Sequence, residues 1–467
     1  MSIGILGGGL AGLTVGALTE GETEILEAAD ECGGLCRSWT VDGFTHDFGG
    51  HILFSRDAEL LAELLAFGSP AVAKEAVVGA NSFATSFANG VANEFAPTTA
   101  FATYARRRRK NTVRFKGRFM KYPFENELSA LDKEDLFFCL YEYLVAVGAT
   151  GRSPLPDAAP SNLEDWVLRT FGRGIAELYL LPYNRKIWKR EPREMSAVWS
   201  ERIPRPPLED IVKSALGLET EGYVHQLYFY YPTTGGIQTL TRALEPRARA
   251  ITRNFRVARV EPDGDGWTVV SAAGDERRYD RLVSTIPLPE LIRCLADCPP
   301  DLREEAARLE YNAERVVLLG VNHDRLPQMT ATYVPDESVW AHRICFNNQF
   351  SPHNSPAGCS SLMAEITVRP GSELEQKTDA ELVDHVLTWC AQEGWLKAAD
   401  VIATNVARMQ YAYVVSDLGY PQRLARLTEY CEGRGLLLTG RVGAWQYWNM
   451  DQVYANARAT AEKLRQG

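Results

Sequence analysis

The chain has 467 residues, 45% of them apolar and 24% charged, the proportions of an ordinary globular protein of two or three domains. A net charge of −10 argues against unspecific binding to nucleic acid or to an anionic membrane surface, so an anionic substrate must be met by a local cluster of arginines. No run reaches the roughly 18–20 apolar residues of a membrane span, the chain opens on a core strand with no leader expected, and its nine scattered cysteines fit reduced thiols in a cytoplasm.

The first stretch, Ile3-Gly4-Ile5-Leu6, reads as a strand that passes through Gly7-x-Gly9-x-x-Gly12 into a helical run over 13–18. The three glycines have separate roles: a tight turn, backbone approach to a pyrophosphate, and close packing of helix on strand. Free N–H groups at the helix start, around Leu10 and Ala11, would face the phosphates. A second strand over 24–27 ends in Glu27, about 20 residues past the first glycine, where an acid binds a ribose hydroxyl. A Gly-rich turn, Gly33-Gly34-Leu35-Cys36-Arg37, and a hairpin over 38–48 lead to Gly49-Gly50-His51. Two glycines and an arginine there suit a second pass over the pyrophosphate, with Arg37 neutralising charge. A domain binding NAD alone does not need this loop, whereas FAD enzymes of the glutathione-reductase and amine-oxidase type have it. Cys32-x-x-x-Cys36 reads as two packed thiols, because no second metal-type pair accompanies it.

A helix over 57–67 opens an Ala/Gly/Ser/Thr-rich stretch to about residue 105, read as an insertion without chemistry. The run Arg106-Arg107-Arg108-Arg109-Lys110 reads as a solvated face. A hairpin around Lys116-Gly117 follows, then a helical pattern over 133–188, with Ser161 or Asn162 capping the segment that carries Trp166. At Thr234-Gly235-Gly236 the chain is expected to return to the nucleotide domain, with strands over 256–260, 267–271 and 281–286. Residues 310–368 alternate like antiparallel strands; a helix over 379–392, a strand over 404–412, and the strand 436–439 ending in Gly440-Arg441 come next. The expected architecture is α/β: a Rossmann-like FAD-binding domain built from 1–65, 235–300 and 405–467, a mainly helical inserted domain at 66–234, and an antiparallel-sheet substrate domain at 301–404.

Five stretches carry a more particular resemblance: Gly49-Gly50-His51-Ile52-Leu53-Phe54-Ser55, Tyr122-Pro123-Phe124-Glu125-Asn126, Leu181-Pro182-Tyr183-Asn184-Arg185-Lys186-Ile187-Trp188, the run from His342-Arg343 to Pro352, and the run from Gly440-Arg441 through Tyr447 to Asp451. Over most of its length the chain resembles the FAD-dependent UDP-galactopyranose mutases and their nucleotide-sugar relatives. The first and last motifs occur more loosely in amine oxidases, protoporphyrinogen oxidases and desaturases. The resemblance implies an isomerase that uses reduced flavin N5 as nucleophile at the anomeric carbon of a nucleotide sugar, with a reductant such as NAD(P)H. It also implies that Arg185, Arg343, Tyr413 and Tyr447 hold the departing diphosphate, with Tyr411 a rival for Tyr413, and that His51 lies beside the isoalloxazine. Fixed arginines at a leaving diphosphate stabilise charge that grows as the bond breaks. Tyr122, Phe124, Glu125, Asn162, Trp166 and Tyr333 are the implied nucleoside and substrate contacts. Val257, Gly440, Arg441, Asn449, Met450 and Asp451 join the glycine loops as implied FAD contacts.

Three departures from the family pattern bear on substrate. Leu181 stands where fungal-type enzymes carry an arginine, with Arg185 at the bacterial-type position. Glu125 replaces an amide, and an ionised carboxylate accepts hydrogen bonds without donating them, which suits guanine better than uracil. The Ala-rich insert lies between His51 and Tyr122. The runner-up is an FAD oxidase or desaturase of an amine, porphyrinogen or polyene; a flavin-bound scaffold without catalysis is a third reading, opposed by the paired arginines.

Overall fold

The strand Ser2–Leu6, apolar on both faces, is the middle of a five-stranded parallel sheet in the order Leu436–Leu438, Arg281–Ser284, Ser2–Leu6, Glu22–Leu26, Ala250–Thr252. A parallel sheet buried on both faces needs cover on each side. The helix Leu10–Leu18 supplies part of it, packed against the last helix, Met450–Gln466. This computed structural model describes residues 1–68, 103–150, 159–203, 205, 207–220 and 227–466. Most of the Ala-rich insert and the Pro-rich link after Ser153 lie outside those residues.

The second sheet has seven strands in the order Val401–Val414, Tyr311–Val321, Ser360–Val368, Arg343–Phe346, Ala331–Tyr333, Asn111–Phe115, Arg118–Lys121. All neighbours are antiparallel except Ala331–Tyr333 with Asn111–Phe115. Two expectations about its extent are corrected by that pairing. The Lys116-Gly117 hairpin, turned by positive φ at both residues, belongs to this sheet and not to a helical unit. The strand assigned from 404 starts at Val401 and forms one edge of the same sheet.

The helices Lys133–Ala146 and Leu163–Ile175 pack against each other. They approach closely because a Cβ on Gly174 would stand 2.5 Å from Cys139 Cα. The run continues through a π-turn, Ala176–Leu180, into the helix Leu181–Trp188 with Pro182 in its first turn. No helix among the described residues is long and apolar enough to cross a membrane. All nine cysteines are unpaired, and burial pushes Cys32 up to about 11 and Cys36 up to about 12, so both remain thiols.

Candidate functional site

Local chain geometry builds a cradle at the C-terminal ends of the parallel strands. Gly7 sits at φ +98°, and a Cβ on Gly12 would stand 1.9 Å from the Gly7 carbonyl oxygen, so no larger residue fits there. The Gly33-Gly34 turn closes on this loop: Gly33 N–H donates to the Gly8 carbonyl at 2.9 Å, and a Cβ on Gly34 would come within 3.2 Å of Gly9 Cα. Gly440, at φ +83°, brings the last strand's end against the same helix start, its Cβ position being 2.6 Å from Ala11 Cβ. Glu27 accepts from Gly8 N–H at 2.7 Å and from Ala29 N–H at 2.8 Å. A carboxylate has about four acceptor directions, so two remain for ribose hydroxyls.

One cavity of about 930 Å³ runs from this cradle into the interface with the seven-stranded sheet. Its cradle end is walled by Gly7, Gly9, Leu10, Ala11, Glu27, Gly34 and Leu35. Gly49, Gly50 and His51 line its middle, while Val257, Gly440, Arg441, Asn449 and Met450 come from the returning segments. Burial, helped by the Arg441 charge, pulls His51 down to about 4, so the imidazole is neutral near pH 7. Its Nδ1 is buried without a partner among the described residues, as expected of a group that meets a ligand.

Two expected cofactor contacts are not among the residues lining the cavity. The Arg37 guanidinium pairs at 3.6 Å with Glu31, which also holds Arg242, and is not on the cavity wall; its Nε is buried without a partner among the described residues. Asp451 lies in the first turn of the last helix and accepts from the Ser55 hydroxyl at 2.8 Å.

The far end of the cavity is aromatic. Tyr122 and Tyr333 stack face to face with centroids 4.4 Å apart, and Tyr179 and Tyr183 complete the wall. Glu125 opens onto this end; burial pushes it up to about 7. Phe124 points the other way, fully buried and stacked on Tyr179 at 4.9 Å, and is core. Asn162 and Trp166 are not on the cavity wall either. The Asn162 amide oxygen caps its helix through Asp165 N–H at 2.9 Å, and Trp166 is buried edge-on to Phe171 with the Arg205 guanidinium over its ring.

Arg185 also faces away. In the helix Leu181–Trp188 the cavity-lining residues are Tyr183, Asn184 and Ile187, extended by Tyr179 and Leu180 from the π-turn. Arg185, midway between 183 and 187, falls on the opposite face by the 3.6-residue period. It pairs with Glu191 at 2.8 Å and Glu337 at 3.5 Å and is 40% exposed.

Arg343 does face the cavity. It forms two parallel hydrogen bonds with Glu365, a buried residue that also accepts from Gly50 N–H at 2.9 Å and from the Cys345 thiol at 3.3 Å. Burial alone would raise the Glu365 carboxyl, but the Arg343 charge and its hydrogen bonds outweigh that and hold it well below the ordinary range. Tyr413 stacks on Tyr447 at 5.7 Å, and both line the cavity beside Arg441. Tyr411 also lines the cavity but packs on Tyr311 and donates to Glu290, while Tyr413 bonds Glu314 beside the Arg343 group. Tyr413 also touches Glu314 and His342, both buried on the same wall.

A nucleotide cradle built of two crossing glycine turns narrows the possibilities to a flavoprotein, and the sequence profile of the flavin containing amine oxidoreductases matches residues 18–392. The chain belongs to that family. Among solved structures, this flavoprotein resembles a reduced UDP-galactopyranose mutase with a TM-score of 0.84 at 23% identity, over 100% of this chain and 95% of that one. A putative protoporphyrinogen oxidase from Exiguobacterium sp. matches with a TM-score of 0.71 at 16% identity, covering 100% and 98%. A putrescine oxidase matches with a TM-score of 0.64 at 16% identity, covering 100% and 99%. These likenesses establish the amine-oxidase-type fold.

The cofactor of this family member is FAD. The cradle fits it on its own geometry: glycines where any Cβ would block backbone or ligand, a carboxylate with spare acceptor sites, and the unpartnered His51 nitrogen.

Sequence reasoning passed over Arg109. This residue lines the cavity, donates to the Tyr333 hydroxyl at 3.3 Å, and lies over the Tyr122 ring at 6.0 Å. The basic run forms the strand Tyr104–Arg108, in which burial alternates along the chain, and Arg109 continues the inward-facing set. Period two in a strand was the available signal. Glu314 and Glu365 carried no motif of their own and became site residues through sheet register alone.

Proposed function

We propose that this FAD enzyme interconverts pyranose and furanose forms of a nucleotide-diphosphate sugar, with UDP-galactose the default substrate. The observation that carries the reading is Arg343: its guanidinium faces the cavity that continues the FAD cradle, with Tyr413 and Tyr447 stacked on the same wall. Reduced FAD supplies the nucleophile for the anomeric carbon. Arg343 meets the diphosphate, and the two phenols donate to its oxygens as charge develops. Arg109 takes the second cationic place in the cavity in this reading, since Arg185 points outward. The uracil packs on the outer face of the Tyr122–Tyr333 stack, with Glu125 at its edge. The likeness to the mutase supports this choice among the family's activities.

The deciding assay mixes dithionite-reduced protein with UDP-galactopyranose and resolves the products by chromatography. Formation of the furanose isomer without net oxidation is the expected result. Oxygen consumption by the oxidised enzyme with no isomer formed would sink the proposal. A carboxylate ringed by tyrosines also suits an ammonium group, and peroxide release from an amine would favour that oxidase reading.

A further inference from the structure

The Glu314 carboxyl is buried on the cavity wall with no arginine or lysine bonded to it among the described residues. Its contacts are the Tyr413 hydroxyl, 3.2 Å from Oε1, and His342 Nε2, 3.6 Å from the same oxygen. The chain of polar atoms continues: the Tyr413 hydroxyl lies 3.4 Å from His342 Nε2, and His342 Nδ1 lies 3.4 Å from the Tyr183 hydroxyl. All four side chains line the cavity, and they come from separate parts of the chain.

Ligand atoms of Glu314, His342 and Glu365 lie within 4.8 Å of one another, a spacing that suits a metal ion. Glu365, however, already accepts from two Arg343 donors, Gly50 N–H and the Cys345 thiol, three of the four on Oε1. A cation would also sit against the Arg343 charge. The geometry therefore suits a proton better than a metal. Burial and the nearby Glu365 charge push Glu314 well above the ordinary carboxylate range, while burial pulls His342 down to about 3. The other charges facing Glu314 are Arg343, two strands away beyond the strand of Glu365, and Arg441 on the return loop, and both act to lower it. The state that results is a neutral carboxylic acid beside a neutral imidazole.

Resting on the reading of an anionic ligand at Arg343, we propose that Glu314 is a positioning residue, held protonated so that Tyr413 can turn its O–H from the protein to that ligand. In the free cavity the Tyr413 hydroxyl donates to Glu314. When an anion arrives, a small rotation points the Tyr413 hydrogen at it, and the Glu314 hydroxyl donates to Tyr413 in turn. No covalent bond changes and no proton leaves the cluster. Ionised Glu314 would capture the Tyr413 hydrogen and set a second negative charge against the ligand. Affinity for a diphosphate therefore falls as pH rises through the ionisation of Glu314, by up to about tenfold per pH unit.

The test uses FAD-loaded protein, wild type and Glu314→Gln, titrated with UDP and with inorganic pyrophosphate across neutral to alkaline pH. The amide of the variant cannot ionise, and comparing the two proteins cancels the titration of the ligand itself. The wild type is expected to lose affinity on the alkaline side relative to Glu314→Gln, a difference from which Glu125 also cancels; a parallel fall in both, or no binding of either ligand, overturns the proposal. A measurement free of ligand is the infrared carbonyl band of a buried carboxylic acid near neutral pH, read as the difference between wild type and Glu314→Gln so that Glu125 cancels. The band should be present in that difference, and its absence refutes the neutral acid. Pyrophosphate binding with wild-type pH dependence but no UDP binding would overturn the nucleotide reading and leave Glu314 as described.

Discussion

Arg343 and Glu365 stand directly opposite each other on adjacent antiparallel strands, and this register turns a cationic side chain into a fixed, oriented fork on the cavity wall. A bidentate arginine–carboxylate pair sets direction as well as charge. Glu365 also ties that fork to the cofactor side of the cavity, because it accepts from the Gly50 N–H. Arg343→Ala is expected to lower turnover by at least about 100-fold while FAD stays bound. It should also destabilise the fold by about 3–5 kcal/mol, since Glu365 is left buried without its partner. Steady-state kinetics, the flavin absorbance spectrum and thermal denaturation read these separately; flavin loss would reassign Arg343 to the cofactor.

In the proposed reading Arg109 takes the place that motif matching suggests for Arg185. Arg185→Ala removes partly exposed ion pairs to Glu191 and Glu337, worth at most about 1 kcal/mol, and should leave turnover within about threefold of wild type. Arg109→Ala removes a guanidinium from the cavity and should weaken UDP binding by about tenfold or more. Calorimetric titration of both variants with UDP decides, and a larger loss at Arg185 would contradict the helix phase described above.

Glu125 makes a prediction about pH. Its folded pKa, about 7, lies above the ordinary 4.5, so the folded state holds a proton that the unfolded state has released. Its effect on stability is therefore absent below about pH 4.5 and grows unfavourable as pH rises to about 7, to the order of 2–3 kcal/mol. Glu125→Gln should raise the melting temperature at about pH 8 and leave it unchanged at about pH 4. Base preference is expected to shift too: raising the pH above 7 should strengthen GDP binding relative to UDP, because the carboxylate accepts from guanine. Equal melting temperatures at both pH values would show that the carboxyl is solvated.

Gly12→Ala is expected to lose FAD on purification and to destabilise the protein by about 1–3 kcal/mol, because the new methyl would overlap the Gly7 carbonyl oxygen. Gly274→Ala is the control: its Cβ would meet nothing within 4 Å, although its φ of +93° carries backbone strain. Flavin content per chain should separate the two, with the control retaining full occupancy.

The cradle was legible in the chain because everything that makes it is local. Glycines 7, 9 and 12 lie within two turns of backbone, and Glu27 follows one helix later; strand, turn and helix place them with no help from distant residues. The same holds for the Lys116-Gly117 hairpin and for Asn162 as a helix cap, which is also why Asn162 was open to a second reading as a ligand contact. Which face of a helix or strand meets the cavity is another matter. Arg185 sits in a family-like motif, yet the π-turn before Pro182 and the packing of that helix set its phase and send it outward to Glu191 and Glu337. Phe124 and Trp166 are placed in the core by contacts with Tyr179 and Phe171. Glu365 becomes the partner of Arg343, and Glu314 the neighbour of Tyr413, through strand register. By itself the sequence determined a strand–turn–helix cradle for a dinucleotide, since short-range sterics suffice for it. Only the tertiary structure decided which charged side chains share the cavity beyond it, since long-range register and packing set their direction.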